Sequence, residues 1–89
     1  MIIRAGMNIY PQEIENAVKS DDHIFDAAAY GIPNNEVGQK IKLKVIVKRN
    51  VDKAQVFDVC KRLLPAYHLP DEIEIVSEIP KNEFGKIKR

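Results

Sequence analysis

Between residues 40 and 49 the chain alternates cation with aliphatic side chain. Lys40, Lys42, Lys44 and Lys48 take one parity and Ile41, Leu43, Val45 and Val47 the other, with Ile46 alone breaking the order. Successive side chains of a strand point to opposite faces, so this segment predicts a strand with one wet face and one face against a core. The lysine row is then a solvated strand face. No aromatic residue is interleaved to stack on bases, which argues against a nucleic-acid surface.

The other segments sort around that strand. Eighty-nine residues suffice for one domain with one modest core. Ile2-Ile3 and Asn8-Ile9 flank Ala5-Gly6-Met7, which predicts a very short hairpin with Gly6 at the positive-φ position. Pro11 suits the first turn of a helix, where its missing N–H has no helical partner. Glu13 and Glu15 follow and suit the helix dipole, Ile14, Ala17 and Val18 form an apolar stripe, and Ser20-Asp21-Asp22 ends the helix. Residues 24–32 read as a buried strand and residues 33–38 as a turn. Asp52 is an N-cap for a second helix running to about Leu64, Pro65 and Pro70 bracket a loop, and residues 72–76 form the last core strand. The expected fold is α+β: a three-stranded core sheet packed with two main helices, preceded by a short β-hairpin, with the two central strands antiparallel. The tail from Lys81 carries too many charges for a core and is either frayed or engaged at a partner surface.

Composition excludes several classes of function. The net charge of +1 gives no global field toward nucleic acid or membrane. No apolar run reaches the length of a membrane span, and Met1-Ile2-Ile3-Arg4 is too short for a secretory signal. The single cysteine, Cys60, lies at helical apolar spacing and reads as a half-buried structural residue. His23 and His68 show no spacing that would make either its base, and one Cys with two scattered His gives no metal site. One cysteine permits no internal disulfide, in keeping with a reducing, cytoplasmic setting.

Two segments are hard to explain by folding alone: Ile2-Ile3-Arg4-Ala5-Gly6-Met7-Asn8-Ile9-Tyr10-Pro11-Gln12-Glu13-Ile14-Glu15 and Pro80-Lys81-Asn82-Glu83-Phe84-Gly85-Lys86-Ile87-Lys88-Arg89. The Gly-Lys pair is no Walker loop, because the second glycine, the following Ser or Thr and the helix are all lacking. Together, in this order and at this separation, the segments resemble the adenylate-forming ligase superfamily of acyl-CoA synthetases, luciferases and peptide-synthetase adenylation domains. The resemblance covers the whole chain. Ala27-Ala28-Ala29-Tyr30-Gly31-Ile32-Pro33 and Glu36-Val37-Gly38-Gln39 look like the family's strand–turn segment, and Tyr67-His68-Leu69-Pro70 looks like its Tyr-Lys-x-Pro, with His68 where Lys is usual. Asn8-Ile9-Tyr10-Pro11-x-Glu13-Ile14-Glu15 is more similar to acyl-CoA synthetases than to peptide-synthetase domains. Ala5-Gly6 stands where many of them have Gly-Gly, and Met7 where Glu is common.

The resemblance implies the C-terminal lid domain, residues 1–89, of an AMP-forming acyl-CoA ligase, with the large N-terminal domain and the hinge before Met1 lying outside this sequence. It implies two half-reactions: a carboxylate attacks the α-phosphorus of ATP and releases pyrophosphate, then the thiol of CoA attacks the acyl carbon and releases AMP. Lys86 would be the cation of the first step, with Gly85 letting the backbone pass close to the nucleotide. After a rotation of the domain, Gly6 would line the pantetheine tunnel and Asn8 would support the second step. The partners implied are the large domain, a carboxylic acid and CoA, with Mg²⁺ and most ATP contacts on the large domain and no ligase activity in the lid alone. The resemblance also implies that Lys86 is a candidate for acetylation, which would remove its charge. Two other readings remain: the lid of a domain that loads a carrier-protein thiol, and a free-standing ferredoxin-like binding module.

Overall fold

The computed structural model describes residues 1–87 and consists of one mixed sheet with two helices against it. The chain runs β1 (Ile2–Arg4), β2 (Met7–Ile9), α1 (Pro11–Lys19), β3 (Ile24–Asn34), β4 (Gly38–Val47), α2 (Lys53–Leu63), a single 3₁₀ turn (Ala66–His68) and β5 (Glu72–Ile75). β3 and β4 form a long antiparallel pair from Ile24↔Val47 to Asn34↔Gly38. The alternation in β4 does what it predicts: Ile41, Leu43 and Val45 are fully buried, and the lysines stay on the other face. There Lys42 pairs with Glu74 at 2.9 Å and Lys44 stands over the Tyr30 ring.

The sheet has five strands, where the sequence predicts three. β5 runs parallel to β4 from Lys42↔Glu72 to Val45↔Ile75, and the hairpin joins the same edge of β4 at Arg4↔Gly38. The hairpin is therefore part of the sheet. Its attachment depends on contacts between distant residues that no local pattern reveals. The side chain of Gln39 stands in for ladder bonds: Ile3 N donates to Gln39 Oε1 at 2.8 Å. A Cβ on Gly31 would meet that glutamine at 2.4 Å, so the glycine makes the room.

Helix ends follow local chemistry. Tyr10 gives α1 no side-chain cap, and Pro11 at the first turn removes one orphan donor. Asp52 caps α2 in a reciprocal box, accepting from Gln55 N while Gln55 Oε1 accepts from Asp52 N, both at 2.9 Å. Ile14 and Val18 of α1 and Val56, Val59 and Cys60 of α2 fill the core with Ile2, Ile9 and the aliphatic face of β4.

Three further expectations are corrected. Cys60 is fully buried and not half-buried, because its helix face is pressed onto the core. Burial pushes its thiol up to about 11, where it is no nucleophile. Glu13 alone is in the first turn of α1, and Glu15 turns inward instead: it is 4% exposed, and its carboxylate accepts from Ala29 N of the edge strand β3 at 2.8 Å. The turn is also tighter, since Pro33 and Asn34 complete β3 and Gly38 begins β4. Asn34 Oδ1 accepts from the backbone N–H groups of Glu36 and Val37, which closes the loop.

Candidate functional site

The hairpin turn is built from two consecutive left-handed residues, Ala5 (φ 50°) and Gly6 (φ 79°). That pair matches a turn whose twist suits a hairpin. Gly6 takes its conformation freely; Ala5 is strained there. Ala5 N donates to Val37 O at 2.7 Å, which holds the turn beside the β3–β4 loop. A Cβ on Gly6 would meet nothing within 4 Å, so the space before it is open. Asn8 faces Ile3 across the pair, and both are exposed.

Arg4 anchors this turn, a role the sequence does not single out. Its guanidinium donates to Asp71 Oδ2 at 2.9 Å, to Leu69 O at 3.0 Å and to Tyr67 O at 2.6 Å. Asp71 Oδ2 also accepts from Ile41 N of β4. One cation thus ties the hairpin to the Tyr67-His68-Leu69-Pro70 segment and to the central strand. His68 is buried there, edge-on to the Tyr67 ring. The signal available in sequence was an arginine beside a turn glycine; its partners lie more than sixty residues away.

Between Lys81 and Ile87 the tail folds into a small loop outside the core. Lys81 and Ile87 form a bridge around a small loop. Asn82 organises it: its Oδ1 accepts from Phe84 N and Lys86 N, both at 2.9 Å, its N–H donates to Lys86 O at 2.7 Å, and its carbonyl accepts from Gly85 N at 3.0 Å. Gly85 takes φ 78°, and a Cβ there would also meet open space. Lys86 is exposed. It lines a groove with Gln12, Glu15 and Lys19 of α1, Asp26 of β3 and Lys81. Lys88 and Arg89, the end of the second motif, lie outside the described residues.

The two candidate loops sit apart. Lys81 Nζ reaches Asp26 Oδ2 at 2.7 Å, near the start of β3, whereas the hairpin turn adjoins Val37 and Gly38 at the far end of that strand. From Asp26 to Asn34 an extended strand covers about 26 Å. Neither Gly6 nor Asn8 lines the groove that holds Lys86. Among the described residues no three His, Cys, Asp or Glu side chains gather into a metal-binding group, and no helix is long and apolar enough to cross a membrane.

Comparison with known proteins gives a consistent picture. Residues 13–86 match the model of the AMP-binding enzyme C-terminal domain. A long-chain-fatty-acid–CoA ligase of Salmonella typhimurium is 38% identical across 100% of this chain, which covers 16% of that protein. A 3,4-dihydroxybenzoate–[aryl-carrier protein] ligase of Bacillus anthracis is 35% identical over 96% of the chain and 20% of its own length. The solved fatty acyl CoA synthetase of Mycobacterium tuberculosis superposes with a TM-score of 0.87 at 32% identity, over 99% of this chain and 18% of that one. The chain thus spans less than a fifth of the length of the fatty-acid ligases it matches.

Proposed function

The chain belongs to the AMP-binding enzyme C-terminal domain family of ligases, and from that premise we propose that it is the lid of an ATP-dependent, AMP-forming acid–CoA ligase. A large N-terminal domain of the same polypeptide would hold ATP, Mg²⁺ and the carboxylic acid, and the lid alone would be inactive. Lys86 serves the first half-reaction. As the acid's oxygen attacks the α-phosphorus and pyrophosphate departs, negative charge spreads over the phosphorus oxygens. A cation fixed beside them lowers that barrier more than it stabilises bound ATP. Lysine suits the role as a compact charge on a long stem.

The hairpin serves the second half-reaction, in which a thiolate attacks the acyl carbon and AMP leaves. Open space before Gly6 leaves a narrow thiol-bearing arm unobstructed, and exposed Asn8 beside it offers a polar contact. The separation of the two loops carries this reading. Loops about 26 Å apart along one strand are too far from each other to serve one bound acyl group in a single orientation, which supports a lid that turns between the steps. The buried, unreactive Cys60 suits a reducing cytoplasm.

The test is Lys86→Ala in the intact ligase, read by ATP–pyrophosphate exchange. We expect a fall of about 10²–10³; near-normal exchange would end the assignment. The carrier-protein ligase among the relatives supports a second reading, in which the accepting thiol is borne by a carrier protein. Offering the enzyme CoA and a pantetheinylated carrier side by side separates the two.

A further inference from the structure

We propose that Asp26 is the dock for the tail loop, and that Asp26, Lys81 and Asn82 act as positioning residues that set where Lys86 begins. The inference rests on the reading of Lys86 as the adenylation cation. It adds Asp26 on β3, which neither motif contains, and gives Lys81 and Asn82 of the second motif a part.

The Asp26 side chain is 13% exposed and has three partners. One oxygen meets Lys81 Nζ at 2.7 Å; the other accepts from Ala27 N at 2.8 Å and lies 3.9 Å from Lys19 Nζ. Burial alone would raise its pKa. The Lys81 hydrogen bond, the Ala27 N–H and the charges of Lys81 and Lys19 outweigh that and hold the carboxyl below its usual value, so it is an anion at neutral pH. Within the loop, Asn82 satisfies both backbone groups of Lys86: its side chain takes the N–H and its own N–H takes the carbonyl. The loop is internally stiff.

Among the described residues, little else holds its outer part. Phe84, at the tip, is 80% exposed, and after buried Ile79 the described residues of the tail are exposed or half-buried. A stiff loop fixed at its base by one ion pair moves as a unit when that pair is broken. The lysine stem then starts from the wrong place. A displacement of about 1 Å at a reacting group can cost on the order of 10²-fold in rate. The same pair does little for stability, because Lys81 is substantially exposed and ion pairs of that kind are worth little to the fold. A positional role therefore separates from a structural one: the rate falls and the melting temperature does not.

The experiment uses the intact ligase with Asp26→Asn, Lys81→Met, their double variant and Lys81→Arg, with Lys86→Ala alongside. Each is read by pyrophosphate exchange, by thioester formation from supplied acyl-adenylate, and by thermal melting. We expect exchange to fall about tenfold in Asp26→Asn and Lys81→Met, no further in the double variant, and to return in Lys81→Arg, with thioester formation and melting unchanged throughout. Normal exchange in Lys81→Met and Asp26→Asn beside a dead Lys86→Ala would overturn the dock alone. Parallel loss of both half-reactions would overturn it too, since that is what general damage to the fold produces. Normal exchange in Lys86→Ala would instead remove the reading beneath it.

Discussion

The hairpin and the tail loop are alike in outline and opposite in attachment. Each is a small two-stranded loop, each turns on a glycine with φ near +80°, and each glycine faces open space. The hairpin, however, sends Ile2 and Ile9 into the core and is tied down by the three hydrogen bonds of Arg4. The tail loop rests on buried Ile79, one ion pair and its own internal bonds. A turn built into a sheet moves only with the whole domain, while a loop held by a polar contact can be placed by one residue. One small domain can thus present a rigid wall at one end and a positioned charge at the other.

Substitutions can break that contrast or sharpen it. The largest expected effect is Ile9→Ala, which should cost about 2–5 kcal/mol in urea unfolding because the methyl groups it removes are wholly buried. Arg4→Ala should cost about 1.5–3 kcal/mol by the same measurement, since it strands the carbonyls of Tyr67 and Leu69 and half of the Asp71 contacts. Asn82→Ala should change global stability by less than about 1 kcal/mol, as surface changes do, while hydrogen exchange at the Lys86 amide quickens. An Asn82→Ala cost as large as that of Ile9→Ala would erase the distinction between the two regions. Ala5→Gly should stabilise slightly, by about 0.5 kcal/mol, because relief of left-handed strain exceeds the added freedom of the unfolded chain.

Acid offers a further probe of the tail. The Lys81 and Ala27 hydrogen bonds hold the Asp26 carboxyl below the usual carboxylate range despite its burial, so its contribution is present above the unfolded pKa and is lost as pH falls through the lower folded one. Stability should therefore decline only slightly through this group as pH drops below about 4, and Asp26→Asn should lack that small decline. An acid limb steeper than that of Asp26→Asn by more than about 1 kcal/mol would mean that the pair holds the fold and not only the loop's position.

Much of the fold is legible from local chemistry. The β4 alternation, Pro11, the Asp52 cap and Gly6 each report a residue's own needs, and each element is found, with β4 running two residues earlier than the alternation at both ends. What escaped is set by distant residues. The five-stranded sheet depends on Gln39 reaching Ile3 over the gap left by Gly31. Helical spacing marked the apolar face of Cys60 but not how deeply that face is pressed in. The same spacing could not show Glu15 turned inward to Ala29. In the candidate site, Gly6, Asn8, Gly85 and Lys86 were marked by their motifs. Asp26 was not, and Arg4 stood in its motif without its anchoring role, because each acts through a partner more than fifty residues away.

The claim that two ends of one lid serve two different steps is most directly tested by measuring both half-reactions in Lys86→Ala and Gly6→Leu versions of the intact ligase. Lys86→Ala should lose pyrophosphate exchange and keep single-turnover transfer from acyl-adenylate to CoA. Gly6→Leu should keep exchange and lose transfer. If both variants lose the same half-reaction, the division of labour between the hairpin and the tail is wrong.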